Sequence, residues 1–246
     1  DGAAIPQLGF GVYKVDPDRT AAAVRDALLI GYRHIDTAQM YGNEHGVGTG
    51  IREAGLDRRE VYVTSKLDNG FHRPDDARRE FDTTLRALGS DYVDLFLLHT
   101  WDRLTPVEEV LRTFDDLVRA GKIRYAGLSD VPSWYAAQAQ TLARAHSSTP
   151  MINLQLPYSL VERQIEVEHV PMAHTLGMGL TAWSPLGGGF LSGKYRHDSA
   201  HGLAGDGRLS TPGGSGLSLT DRDWRLLEPL ESVADELGVT MAQVAV

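Results

Sequence analysis

Residues 61–99 read VYVTSKLDNGFHRPDDARREFDTTLRALGSDYVDLFLLH, and this stretch decides the fold. A β-branched and aromatic run, Val61–Ser65, predicts a buried strand. Asp76–Leu88 then carries apolar residues at three- and four-residue intervals, the period of an amphipathic helix, and Gly89 closes it where a left-handed residue is wanted. Val93–Leu98 is a second apolar run. Strand, helix and strand within 39 residues make one unit of a parallel sheet.

The same unit recurs outward in both directions. Further strands are predicted at Leu8–Tyr13, His34–Asp36, Ile123–Leu128, Met151–Gln155 and Leu180–Trp183, with starts mostly about 25 to 30 residues apart. Helical periodicity fills Ala21–Ile30 and Val107–Ala120. Asp16-Pro17 and Thr105-Pro106 read as caps followed by proline at the first helical position, and Glu108 would complete a capping box with Thr105. Gly31, Gly55, Gly121 and Gly177 stand where helices should end. Seven such units predict a (β/α)8 TIM barrel in a single domain over 1–246, with an open doubly wound sheet as the alternative. No G-x-G-x-x-G fingerprint follows a strand, so a nucleotide would be held in another way. Residues 196–219, RHDSAHGLAGDGRLSTPGGSGLSL, lack periodicity and read as a long mobile loop over the C-terminal face.

Composition excludes several classes. The 246 residues are 42% hydrophobic, enough for one large core, and 24 Lys plus Arg against 33 Asp plus Glu give a net charge of −9. That balance, without a dense basic run, lacks the electrostatic footprint of nucleic-acid binding. No cysteine is present, which removes disulfides, thiolate nucleophiles and cysteine-type zinc sites, and no metal ligands are assigned. No apolar run is long enough to cross a membrane and no signal segment opens the sequence, so a cytoplasmic protein without an evident protein partner is expected.

In a barrel, chemistry takes place where strands end. Asp36 ends the second strand, Tyr41 lies in the loop after it, Lys66 follows the third, and His99 ends the fourth. Singly, these residues read as a helix cap, a rim aromatic, a surface cation and a hydrogen-bonded core histidine. Together they form a set with one purpose. A phenol has an ordinary pKa near 10, so proton donation at neutral pH calls for stabilising its anion, at about 1.4 kcal/mol per pKa unit. The Lys66 ammonium would lower that pKa, Asp36 would pair with the ammonium, and His99 would hydrogen-bond a substrate oxygen. Such a set hands a proton to a developing alkoxide, as reduction of a small carbonyl substrate requires.

At these residues the sequence resembles the aldo-keto reductase superfamily. GYRHIDTAQMYGNE (31–44), VTSKL (63–67), DYVDLFLLH (91–99), GKIRYAGLSD (121–130) and AWSPLGGGFLSGKY (182–195) look like its recurrent blocks in the family's order. The resemblance implies NADPH-dependent reduction of aldehydes and ketones, with NADH possible, Tyr41 as general acid, and Asp36, Lys66 and His99 as its support. It further implies that Ser129, Asp130 and Gln155 hold the nicotinamide carboxamide and that Trp183 faces the nicotinamide ring. Ser184, Leu186, Gly188, Leu191 and Lys194 would contact the pyrophosphate, and Tyr13 would also touch the cofactor. Asp130 stands where many members have Asn.

Two departures accompany the resemblance. Residues 1–99 resemble the small monomeric reductases of the family, whereas residues 100–130 and YSLVERQIEVEHVPMA (158–173) resemble another branch, so a hybrid joined near 99–101 is expected to pack less well where strands four and five meet. The sequence also stops at GVTMAQVAV, within the helix expected to precede strand eight. The expected consequence is a barrel truncated before its eighth strand, with weak discrimination between NADPH and NADH. Two other functions remain open from the residues: a cofactor-binding regulatory module with little turnover, and a barrel aldolase using Lys66 as a Schiff-base amine.

Overall fold

The computed structural model describes residues 4–198, 202–211 and 219–246. Seven strands form one sheet: β1 (Phe10–Gly11), β2 (His34–Asp36), β3 (Tyr62–Leu67), β4 (Val93–Leu98), β5 (Ile123–Ser129), β6 (Met151–Pro157) and β7 (Gly179–Trp183). Their order in the sheet is their order in the sequence. A doubly wound sheet reverses direction at a switch point, so this monotonic order excludes it and is the topology of a (β/α) barrel. The pairings from β1 to β5 are all parallel. The intervening helices are α1 (Pro17–Leu29), α2 (Glu44–Glu53), α3 (Pro74–Leu88), α4 (Val107–Arg119), α5 (Ser133–Ala145) and α6 (His169–Thr175); α7 (Asp221–Leu237) and α8 (Met241–Ala245) follow β7.

By compactness the chain divides into two units, Asp1–Leu154 with Met172–Gly179, and Gln155–Pro171 with Leu180–Val246. In the first, every residue of β4 is buried, and so is every residue of β3 except Tyr62, as expected for parallel strands covered on both faces. Phe96 of β4 anchors the layer outside them, with its ring 4.6 Å from Phe81 of α3 and 5.6 Å from Phe114 of α4. Across the expected join the β4–β5 pairing runs from Val93↔Ile123 to Leu98↔Leu128.

Helix α2 carries three glycines that propensity alone would disfavour. They allow close approach: a Cβ on Gly46 would lie 2.7 Å from Thr20 Cβ, one on Gly50 2.5 Å from the Ala21 carbonyl oxygen, and one on Gly48 would overlap the Leu88 carbonyl. The helix-closing glycines behave as read, with positive φ at Gly31, Gly55, Gly89, Gly121 and Gly177. Asp16 caps α1 by accepting from the Asp18 N–H at 2.9 Å. The Thr105 capping box does not form. Helix α4 has Pro106 at its N-cap without a side-chain cap bond, because the Asp102 carboxylate takes both the Thr105 N–H at 2.6 Å and the Thr105 hydroxyl at 3.1 Å.

In the second unit Phe190, Leu191 and Leu230 make a small buried cluster, with Trp224 of α7 edge-on to Phe190 at 4.9 Å. The stretch read as one long loop, 196–219, contains an antiparallel hairpin, β8 (Arg196–Asp198) with β9 (Gly202–Ala204), and a short 3-10 turn at Arg208–Ser210. Alternation of apolar and polar residues is too brief there to signal strands. The rest of that expectation, over 199–201 and 212–218, lies outside the described residues.

Candidate active site

Sheet register explains why three of the four catalytic candidates converge. Asp36 pairs with Thr64, and Lys66 pairs with Leu97. Side chains alternate along a strand and paired residues share a face, so Asp36, Thr64, Lys66 and Leu97 project to one side. His99 follows Leu97 by two residues at the end of β4. Tyr41 arrives from a 3-10 turn, Gln39–Tyr41, whose entry is fixed by the Thr37 N–H donating to the Thr64 carbonyl at 2.9 Å.

Lys66 is the centre of the set and only 1% exposed. Its ammonium donates to Asp36 Oδ1 at 2.5 Å, to the Thr37 carbonyl at 2.9 Å, and to the Tyr41 hydroxyl at a long 3.4 Å. Three acceptors around the buried ammonium offset part of its desolvation cost, which an isolated one would bear whole. The Tyr41 ring packs against Tyr13 at 4.9 Å and edge-on to His99 at 5.8 Å.

The electrostatics differ from the simple expectation. Burial, then the nearby Asp36 carboxylate, hold the Tyr41 phenol above its ordinary pKa, so Lys66 does not draw it down in the resting site. The phenol is therefore fully protonated at neutral pH, and the ammonium stands where the phenolate charge would appear. His99 is pushed down to about 4 by burial and then by Lys66, which leaves a neutral imidazole at physiological pH. Its Nδ1 is buried with no hydrogen-bond partner among the described residues. A neutral imidazole keeps one N–H, so beside a protonated phenol it can donate to an oxygen atom.

The remaining candidates fall as follows. Ser129 ends β5 and is 1% exposed, and Asp130 follows with φ 47°, its carbonyl accepting from the Thr100 hydroxyl at 3.1 Å. That left-handed backbone admits Asp and Asn more readily than other side chains, which accounts for either residue at this position. Tyr13, expected at the cofactor, lies on the Tyr41 ring. In the second unit Gln155 is buried and Trp183 is 42% exposed. Ser184, Gly187, Gly188 and Gly189 all have positive φ, at 57°, 56°, 66° and 95°. Within this turn the Gly187 N–H donates to the Ser184 carbonyl at 2.8 Å and the Gly189 N–H to the Leu186 carbonyl at 3.1 Å. A Cβ on Gly189 would lie 3.0 Å from Lys194 Cε, so the turn is built closely around that lysine, while Leu191 is buried in the apolar cluster, and Leu186 packs against that cluster. In the first unit the Ser129 hydroxyl and the Asp130 carboxylate are of the kind that fits an amide group. Among the described residues no group of three or more His, Cys, Asp or Glu is placed to hold a metal ion, and no helix is long and apolar enough to cross a membrane.

Sequence reasoning missed a buried polar layer behind Tyr41 and Lys66. Gln39, Glu44, Ser65 and Thr84 form it, and Asn43 ties the same turn to β1 by donating to the Val12 carbonyl at 2.9 Å. The signal lay in the polar letters of TAQMYGNE, where a buried Glu at the start of a helix needs donors. A second unread pair is His72 Nδ1 with Asp102 Oδ2 at 2.6 Å.

A parallel sheet in sequence order, with a tyrosine, lysine, aspartate and histidine gathered at adjacent strand ends, defines a barrel oxidoreductase. The chain belongs to the aldo/keto reductase family, whose profile matches residues 7–246. It is 37% identical over 211 residues to an aldo-keto reductase of Mycobacterium sp. (strain JLS), covering 83% of this chain and 71% of that protein. An uncharacterized oxidoreductase of Schizosaccharomyces pombe is 34% identical over 209 residues, covering 76% of this chain and 62% of the relative. Among solved structures, the thermostable aldo-keto reductase Tm1743, in complex with the inhibitor epalrestat, superposes with a TM-score of 0.80 at 27% identity, over 99% of this chain and 80% of that one.

Proposed function

We propose that this protein reduces an aldehyde or ketone of small size to the alcohol, using NADPH with NADH as the possible substitute, and that it works in the cytoplasm. The observation that carries the reading is the Lys66 ammonium held between Asp36 at 2.5 Å and the Tyr41 hydroxyl at 3.4 Å. In the first unit Ser129 and Asp130 would hold the carboxamide of the cofactor. A bound reduced nicotinamide would supply the hydride to the carbonyl carbon.

The chain's own residues do the rest. His99 and Tyr41 hydrogen-bond the carbonyl oxygen and polarise the carbonyl. As negative charge develops on that oxygen, the Tyr41 O–H bond breaks and its proton forms the alcohol hydroxyl. The phenolate left behind is stabilised by Lys66 until solvent returns a proton. Asp36 keeps the ammonium aimed at Tyr41 and neutralises it in the resting state. The aldolase reading is disfavoured because the Lys66 hydrogens point at three acceptors, the arrangement of a charged donor and not of an amine nucleophile.

Tyr41→Phe removes the donor and leaves the carboxamide contacts in place. Consumption of NADPH with an aromatic aldehyde should fall by roughly 10²–10⁴-fold, the worth of a positioned proton donor, with NADPH affinity unchanged. Retention of more than about a tenth of kcat would refute the general-acid role.

A further inference from the structure

The polar layer behind the site forms a continuous chain of hydrogen bonds. The Gln39 side-chain oxygen accepts from the Asp68 N–H at 2.8 Å, and its amide nitrogen donates to Thr84 Oγ1 at 2.9 Å. Thr84 Oγ1 in turn donates to Glu44 Oε2 at 3.2 Å, and Glu44 Oε1 accepts from Ser65 Oγ at 2.6 Å. Thr84 and Ser65 are fully buried and Glu44 is 7% exposed.

This chain links the two segments that carry the proton-donating pair. Gln39 opens the 3-10 turn that ends in Tyr41, and Ser65 precedes Lys66 on β3. Thr84, in the middle, belongs to α3, which carries none of the reacting groups. A buried carboxyl is a costly connector, and burial holds Glu44 above its ordinary pKa despite both hydroxyl donors. A purely structural contact between α2, β3 and α3 could have been apolar. A carboxyl with two directed acceptors instead fixes both orientation and distance between its neighbours, as side chains behind metal ligands and catalytic groups do.

We propose that Gln39, Thr84 and Glu44 are positioning residues that set the separation between the Tyr41 hydroxyl and the Lys66 ammonium, and so act on proton transfer without touching substrate. The proposal rests on Tyr41 being the general acid. Small errors in the placement of a reacting group are costly, up to about 10²-fold for a displacement near 1 Å. Here the chain holds the turn and the strand from behind, so its loss should affect kcat and leave KM alone.

The test compares Thr84→Val, which keeps shape and removes the hydroxyl, with Thr84→Ser, which keeps the hydroxyl. Turnover of NADPH with an aromatic aldehyde is measured alongside Tyr41→Phe and the exposed neighbour Thr83→Val. Thr84→Val should lower kcat about tenfold, with KM for aldehyde and NADPH within about twofold, and Thr84→Ser should restore kcat to within about threefold. Thr83→Val should match the parent. If Thr84→Val does not fold, Gln39→Met removes both bonds at a less buried position and should give the same split of kcat from KM. An unchanged kcat in the folded variant, a change confined to KM, or a loss that Thr84→Ser fails to restore would each overturn the positioning role while an inactive Tyr41→Phe left the general acid standing. An active Tyr41→Phe would refute the mechanism itself.

Discussion

Replacing Lys66 with Met leaves the stem and removes the ammonium. Two separate losses follow. Asp36 keeps a charge with its cation gone, and the Thr37 carbonyl loses its donor; removal of one partner of a buried pair costs about 3–5 kcal/mol. Asp36 is 18% exposed and can recruit some water, so the lower end, about 3 kcal/mol, applies. The catalytic loss has a different origin. An ammonium 3.4 Å from a full phenolate charge attracts it by about 5 kcal/mol at an effective dielectric near 20. With roughly half that charge developed as the proton leaves, about 2.5 kcal/mol is lost, or close to 10²-fold in kcat. Urea unfolding and steady-state turnover measure the two. The double variant Asp36→Leu/Lys66→Met separates them, since an apolar pair of similar volume should recover most of the stability but none of the activity. A single variant within about 1 kcal/mol of the parent, or with kcat within about threefold, would refute the account, as would a double variant that regained turnover.

Two more predictions follow. His99 is held at about 4 against an ordinary 6.5, so between those values the unfolded chain binds the proton that the folded one refuses; the stability this represents is fully present above about 6.5 and is lost as pH falls towards 4. From pH 7 to pH 4 the unfolding free energy of the parent should therefore fall by on the order of 3 kcal/mol more than that of His99→Gln, and a constant difference between the two would contradict it. Gly48→Ala should destabilise by about 1–3 kcal/mol in urea although alanine is the better helix former, because the added methyl meets the Leu88 carbonyl; a more stable protein would show that α2 shifts freely.

Much of this was legible in the letters. The strands at His34–Asp36 and Val93–Leu98 emerged with the bounds expected from their apolar runs, and α4 lost one residue at its end. Asp36, Lys66 and His99 stand at or next to strand ends and Tyr41 in the turn after one, and position along a barrel strand follows from period and register. What failed depended on partners distant in sequence. Thr105 was read as a cap because capping is local, but Asp102, also engaged with His72, holds it first. The Gln39–Thr84–Glu44 chain joins residues up to 45 apart, and no periodicity marks such a link. The paired strands Arg196–Asp198 and Gly202–Ala204 have three residues each, shorter than any alternation can reveal.

The raised phenol pKa bears directly on how a site of this kind works. Burial and Asp36 keep the proton on Tyr41, which a rule of matching the donor to neutral pH would count against it. But the acceptor in the proposed reaction is a developing alkoxide, a much stronger base than a phenolate, so transfer is favourable from a phenol of ordinary or even raised pKa. The site must instead avoid losing the proton early and must meet the phenolate charge at the moment it forms. Asp36 serves the first need and orients the group that serves the second. In the proposed reaction Lys66 would therefore stabilise the product of proton transfer, and its long 3.4 Å contact in the resting state fits that role, since an interaction that strengthens as charge develops lowers the barrier where one already complete would not.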